Sequence, residues 1–241
     1  MQAENKKYNK TIDMKIKAAL FDLDGVVFDT ESQYSVFWGM IGKEYHPEMA
    51  DFAQRIKGQT LVQIYDKYFS DEKCFSHIEN RGSAQEEQAK ITARLNEFEQ
   101  NMDYPYILGF EKIVSELRAN HVKCAVVTSS NMPKMLNVYK KHPEFTSYFD
   151  RVLTSEDFSK SKPDPDCYLK AAACFGVSPQ ECVGLEDSFN GLRSVRDSGA
   201  YTLGLATTNS AEQIAPYSDA VIKNYEDFTY DKLCQLFMAK Q

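Results

Sequence analysis

The stretch Ile16-Lys17-Ala18-Ala19-Leu20-Phe21-Asp22-Leu23-Asp24-Gly25 decides how the whole chain is read. Residues 16–23 form a short apolar run without helical spacing, ending in Asp-Gly, and this predicts a buried strand. Alone, a D-x-D-G run is more often a strand-to-turn cap than a reactive site, because Asp and Gly are common turn residues. A calcium loop is a third reading. It fails because the glycine of such a loop belongs at the sixth position, after alternating Asp/Asn ligands, and the flanks here are apolar.

Downstream of this strand the texture changes. Residues 32–43, 48–56, 61–69 and 84–100 read as successive helices, and Tyr34, Phe37, Trp38 and Ile41 recur at i, i+3, i+4 and i+7, one apolar stripe. No convincing strand interrupts them. From Gly109 onward the pattern alternates. Helices are expected at 110–120, 132–141, 166–175, 189–198 and 211–214. Strands are expected at 122–128, 149–153, 182–185, 201–206 and 219–222. Apolar strands alternating with helices imply a parallel sheet covered on both faces. The expected fold is therefore α/β, a three-layer parallel-sheet core with an all-helical unit inserted after the first strand. The boundaries are residues 15–31 and 104–241 for the core, 32–103 for the insert and 1–14 for a flexible N-terminal tail. The hinges fall at 29–32 and 103–105.

The totals narrow the function. The chain has 241 residues, 43% hydrophobic and 26% charged, with a net charge of −7. An acidic surface argues against nucleic acid and anionic membrane as partners. It also requires any phosphate site to supply its own positive charge. No apolar run approaches the roughly 20 residues of a membrane span, and residues 1–13 lack a secretory h-region. The six cysteines form no C-x-x-C pair, and Cys124 and Cys182 sit in strand-like apolar runs, which suggests free thiols in a reducing, cytoplasmic compartment. The four histidines show no metal-ligand spacing, and neither phosphate-loop pattern, G-x-x-x-x-G-K-[ST] or G-x-G-x-x-G, is present.

In open α/β sheets ligands bind at the carboxyl ends of strands. Those ends carry Asp22 and Asp24, then Thr128-Ser129-Ser130-Asn131, then Lys162 in Ser161-Lys162-Pro163, then Glu186-Asp187-Ser188. Each cluster has an ordinary reading: a helix N-cap for 128–131, a solvated loop lysine for Lys162, a helix start for 187–188. Together they match the needs of phosphoryl transfer. That reaction requires an in-line nucleophile, cations for the charge on the equatorial oxygens and a proton donor for the leaving oxygen. Two adjacent aspartates repel unless one is protonated or a cation such as Mg²⁺ lies beside them.

The motifs Phe21-Asp22-Leu23-Asp24-Gly25-Val26-Val27, Val126-Val127-Thr128-Ser129, Lys162-Pro163-Asp164-Pro165 and Gly184-Leu185-Glu186-Asp187-Ser188 resemble the four motifs of the haloacid dehalogenase superfamily, in its order and spacing. Their wording is closest to the beta-phosphoglucomutase-like branch, with a Rossmann-like core and a helical cap after the first motif. The resemblance implies Asp22 as nucleophile and magnesium ligand, and Asp24 as general acid/base with its backbone carbonyl on the metal. It implies Thr128, with Ser129, and Lys162 as phosphate-binding, Asp187 as metal ligand, and Glu186 as ligand or support. The polar run Arg55-Ile56-Lys57-Gly58-Gln59-Thr60 between two insert helices is either a substrate loop (Arg55, Lys57, Gly58, Gln59) or an ordinary turn.

The mutase branch usually carries a histidine early in the first cap helix and an arginine after this Lys-Gly. Tyr34 and Leu61 stand there instead, with Arg55 or Lys57 as candidate substitutes for the arginine. The expectation is a Mg²⁺-dependent phosphatase acting, as a monomer, on a small phosphorylated metabolite such as a sugar phosphate. A hexose phosphate mutase is the alternative. A non-catalytic binding module and a metal-free dehalogenase are disfavoured by the Asp22/Asp24 pair and by the Glu186-Asp187 acids.

Overall fold

The structure is a computed structural model that describes residues 15–57, 59–71 and 76–240. The expected tail at 1–14, Gly58 and Cys74 lie outside the described residues. Six parallel strands form one sheet: β1 (Ala18–Phe21), β2 (Lys123–Val127), β3 (Arg151–Leu153), β4 (Cys182–Glu186), β5 (Tyr201–Leu205) and β6 (Ala220–Ile222). Their spatial order is β3-β2-β1-β4-β5-β6. β1 is central, pairing Phe21 with Val126 on one side and with Leu185 on the other.

The two-residue period of the strands sorts their side chains between two cores. Ala19, Phe21, Cys124, Val126, Val183 and Leu185 join one cluster, and Ala18, Leu20, Ala125, Val127 and Cys182 the other. The first core is covered by α5 (Phe110–Ala119), α6 (Met132–Lys141) and α11 (Tyr230–Ala239), and the second by α8 (Asp166–Cys174) and α9 (Phe189–Ser198). The short helices α7 (Phe145–Tyr148) and α10 (Ala211–Ile214) complete the set. This is the three-layer parallel arrangement that the alternation implies. The strand expected from 149 starts two residues later, at Arg151, after α7 has ended at Tyr148 with Phe145 drawn wholly into the core and Ser147 N donating to Glu144 O at 2.8 Å.

Between β1 and α5 lie α1 (Glu31–Tyr45), α2 (Phe52–Arg55), α3 (Leu61–Tyr68) and α4 (Ala84–Asn101), with no strand among the described residues. They have a separate core of Phe37, Trp38, Ile41, Phe52, Ile64, Phe69, Ile91 and Leu95. α2 is shorter than the helix expected over 48–56. The chain turns first, with Met49 N bonded to His46 O and Phe52 N to Met49 O. Gly42 lets α1 approach this turn: a Cβ there would lie 2.7 Å from the Cβ of Phe52. α3 and α4 begin with full capping boxes from Thr60/Gln63 and Ser83/Glu86. The two crossings between insert and core run side by side, with Asp29 N donating to Pro105 O at 2.8 Å and Ile107 N to Val27 O at 2.9 Å.

Gly109 joins the second crossing to α5. Its φ is +84°, and a Cβ there would meet backbone atoms of Tyr225 and Glu226 at 2.5–2.7 Å. Backbone cannot yield as a flexible side chain can, and L-residues are strained at that φ. Gly109→Ala should cost at least about 2 kcal/mol, read as a fall of several degrees in the melting midpoint by circular dichroism. An unchanged midpoint would show that the Tyr225 segment is not fixed against α5.

Candidate active site

Asp22 follows β1 directly, held by its own N–H on Leu185 O at 3.0 Å, so its carboxylate leaves the carboxyl edge at the centre of the sheet. Lys162 reaches the same point from the segment before α8. Its ammonium donates to Asp22 Oδ1 at 2.6 Å, Glu186 Oε1 at 2.6 Å and Val127 O at 3.0 Å, in full burial. One cation thus gathers the ends of β1, β2 and β4. Burial alone would lower the Lys162 pKa, but the charges of Asp22 and Glu186 outweigh it and the pKa rises.

Glu186 is saturated. Oε1 also accepts from the Tyr168 hydroxyl at 2.8 Å, and Oε2 from the N–H groups of Asp187 and Ser188 and the Ser188 hydroxyl. Gly191 makes room for it, since a Cβ there would fall 1.9 Å from the carboxyl carbon. Asp187 is oriented by the loop after β5. The Thr208 hydroxyl donates to its Oδ2, and Asn209 Nδ2 donates to its carbonyl at 3.0 Å. Gly25, at φ +77°, brings the first turn against the same carboxylate, where a Cβ would lie 2.0 Å from Asp187 Oδ2. The turn is pinned by Thr207 Oγ1 donating to Gly25 O at 2.6 Å.

Ligand atoms of Asp22, Glu186 and Asp187 lie within 4.8 Å of one another. Burial pushes Asp22 up from 3.8 to about 7, with Lys162 opposing and the charges of Glu186 and Asp24 adding. Asp187 is raised well above the carboxylate range, by burial and then by Glu31, Glu186 and Asp22. Three buried carboxylates around one ammonium leave negative charge uncompensated. With Glu186 saturated by protein donors, Asp22 and Asp187 keep oxygens for a hard divalent cation, so the residues fit one. The geometry inclines Glu186 toward support of Lys162 rather than ligation.

Asp24 lines the same cavity but has partners of its own. Its Oδ1 accepts from Thr30 Oγ1 at 2.5 Å, and its Oδ2 accepts from Ser130 Oγ at 3.2 Å and from the Lys134 ammonium. Thr128 is buried at the end of β2, and its hydroxyl accepts from Ser130 N at 3.0 Å, while Asn131 caps α6. The Ser129 hydroxyl is buried with no hydrogen-bond partner, as an unused donor. Asp24, Lys134 and residues 128–131 line a cavity of about 600 Å³ walled on its far side by Tyr34, Trp38, Lys57, Gln59 and Leu61 of the insert.

The core residues expected at the strand ends therefore converge. The insert loop divides. Lys57 and Gln59 line the cavity, Gly58 lies outside the described residues, and Arg55 is not among the lining residues. The Arg55 guanidinium pairs with Asp51 at 2.8 Å, one helical turn back, with its side chain 55% exposed. Lys134, Tyr168, Thr207 and Thr208 were not singled out by sequence reasoning. Lys134 had left a signal: with Met135 and Val138 it forms the buried stripe of α6.

A profile of the haloacid dehalogenase-like hydrolases matches residues 16–199, and the chain belongs to that family. It is 26% identical over 230 residues to a beta-phosphoglucomutase of Bacillus subtilis, covering 90% of this chain and 94% of that one. It is 25% identical over 223 residues to a Drosophila melanogaster protein described as a probable pseudouridine-5'-phosphatase, covering 89% and 92%. Among solved structures, an Entamoeba histolytica HAD hydrolase of family IA, variant 3, superposes with a TM-score of 0.75 at 20% identity, covering 92% of this chain and 99% of that one.

The raised Asp22 gives the metal-free protein a pH signature. Its folded pKa of about 7 lies above the ordinary 3.8, so its stabilising contribution is full below 3.8 and is lost as the pH rises through about 7. Melting midpoints measured with chelator should fall from about pH 4 to about pH 7 and level off above, and less so in Asp22→Asn. Parallel curves for the two proteins would show that Asp22 is not the uncompensated acid.

Proposed function

We propose that this chain is a Mg²⁺-dependent phosphatase that hydrolyses a small phosphate ester, a sugar phosphate, through an aspartyl-phosphate on Asp22. The observation that carries the reading is the Asp22 carboxylate itself. It is buried at the centre of the sheet edge, held by Lys162, and shares its space with Asp187 and the unpaired Ser129 hydroxyl.

In this mechanism Thr128, Ser129 and Lys162 hold the equatorial oxygens of the phosphoryl group, and Asp22 attacks phosphorus in line. Asp24, in its protonated form, gives its proton to the leaving oxygen. The resulting carboxylate then takes a proton from the water that opens the intermediate. Asp22, Asp187 and the Asp24 carbonyl, with Glu186 in support, would hold Mg²⁺, which when bound neutralises charge on the transferring group. The insert, residues 32–103, acts as a cap over the core formed by 15–31 and 104–241 and limits water at the site. Lys57 and Gln59 face the substrate.

Hydrolysis is favoured over the mutase alternative by the cations of the cap. A mutase must bind a second phosphate. Among the described residues the one insert cation lining the cavity is Lys57, and its ammonium is paired with Glu31 at 3.2 Å. Tyr34, where the mutase branch has histidine, donates its hydroxyl to Glu99 at 2.7 Å. The reading extends to a cytoplasmic monomer that binds neither nucleic acid nor membrane. It is supported by the buried free thiols of Cys124, Cys167 and Cys182, and no helix among the described residues is long and apolar enough to cross a membrane.

A screen of phosphate esters with and without Mg²⁺ should find metal-dependent phosphate release, and Asp22→Asn should lower it by at least about a thousandfold while the protein stays folded. Turnover that survives in this variant would sink the assignment. With beta-glucose 1-phosphate, free phosphate should accumulate. Glucose 6-phosphate building up with little free phosphate would reverse the order of the two readings.

A further inference from the structure

Lys134 breaks the local rule of its own helix. It is the third residue of α6 after the Asn131 cap, a position that favours an acid because the positive end of the helix dipole lies there. A lysine at that point should extend into solvent, yet Lys134 is buried at 3% exposure. Its ammonium meets Asp24 Oδ2 and lies 4.5 Å from the centre of the Tyr34 ring, on the insert helix α1. Glu99 on α4, bonded to the Tyr34 hydroxyl, and Glu31 on α1 both feel its charge. Such local misfits concentrate where function imposes the residue.

We propose that Lys134 is a positioning residue for Asp24, fixing the direction of its carboxyl group toward the leaving oxygen of the substrate. The inference rests on the phosphatase reading. Lys134 and Ser130 both donate to Oδ2, whereas Oδ1 accepts from one donor, the Thr30 hydroxyl, so Oδ1 is the oxygen with room to carry the proton. In the first step the Asp22–phosphorus bond forms and the bond from phosphorus to the leaving oxygen breaks. The Oδ1 proton passes to that oxygen, and the charge left on Asp24 faces the Lys134 ammonium. Lys134 keeps its own protons throughout. The Tyr34 ring, from the insert and fixed through its hydroxyl by Glu99, lies against the ammonium that meets Asp24, so the aim of Asp24 depends on the insert.

The test uses leaving groups. With the full chain and Mg²⁺, kcat/KM is measured for phenyl, p-chlorophenyl and p-nitrophenyl phosphate, which reports the steps up to loss of the phenol. Nitrophenolate leaves as a stable anion and needs little protonation, whereas phenolate needs much. Lys134→Met should lower kcat/KM for phenyl phosphate at least about tenfold but for p-nitrophenyl phosphate less than about threefold. Its dependence on leaving-group basicity should be steeper than in the wild type, and Lys134→Arg should restore much of the loss. Equal losses across the series, or none, would overturn the proposal, the first pointing to a purely structural lysine or a phosphate contact. If Lys134→Met does not fold, Tyr34→Leu, which removes the ring beneath the ammonium, should show the same steepening, and an unchanged slope there would count equally against it. A wild type inactive on all three esters, or an Asp22→Asn variant as active as wild type, would instead remove the phosphatase reading on which the inference stands.

Discussion

The contact of the Lys162 ammonium with Asp22 and Glu186 is the constraint on which the site depends. At separations near 4 Å an opposite pair is worth about 4 kcal/mol at an effective dielectric of 20, and here both contacts are 2.6 Å and buried. Removing the ammonium would leave two carboxylates desolvated without a partner, the costly case for a buried ion pair. The bond to Val127 O adds β2 to the arrangement. Three adjacent strands therefore end on one cation that comes from none of them. The sheet edge is held open by their parallel register and drawn together chemically by Lys162.

The rest of the site follows from what this cation leaves unbalanced. Lys162 offsets one of the two carboxylates it touches, and Glu186 takes the larger share of other donors through Tyr168 and the 187–188 backbone. Asp22 and Asp187 are left facing each other with raised pKa values. Gly25 and Gly191 have no side chain for a related reason: at each, a Cβ would occupy space taken by one of these acids. The glycine of the first motif, and Gly191 just after the fourth, are thus dictated by the packing of carboxylates as much as by turn geometry.

What was legible in the sequence divides along the same line. Strand ends are local features: an apolar run followed by Asp, Thr or Glu-Asp states both where a strand stops and what it presents there. Asp22, Thr128, Glu186 and Asp187 could be read in this way, and helices α6, α9 and α10 end at the residues expected. Contacts between distant segments have no comparable signature. Lys134 meets Asp24 across 110 positions, and Thr208 meets Asp187 across 21 from a loop that looks like an ordinary strand-to-helix turn. Arg55 shows the converse. Its charge and place in the loop suggested a substrate contact, but a partner four residues back, at the N-cap of its own helix, turns it outward.

The distribution of charge also bears on how a phosphate reaches the site. Three lysines line the cavity among the described residues, and each already holds a carboxylate: Lys57 with Glu31, Lys134 with Asp24, Lys162 with Asp22 and Glu186. On a chain of net charge −7, a phosphate dianion entering this cavity meets neutralised cations and an excess of acid. Its binding must bring charge compensation with it, either a cation on Asp22 and Asp187 or a proton on one of the carboxylates. Under the proposed reading, affinity for substrate and affinity for metal are then coupled through the same oxygens. The coupling follows from the carboxylates outnumbering the lysines at the cavity wall, whichever ester the enzyme takes.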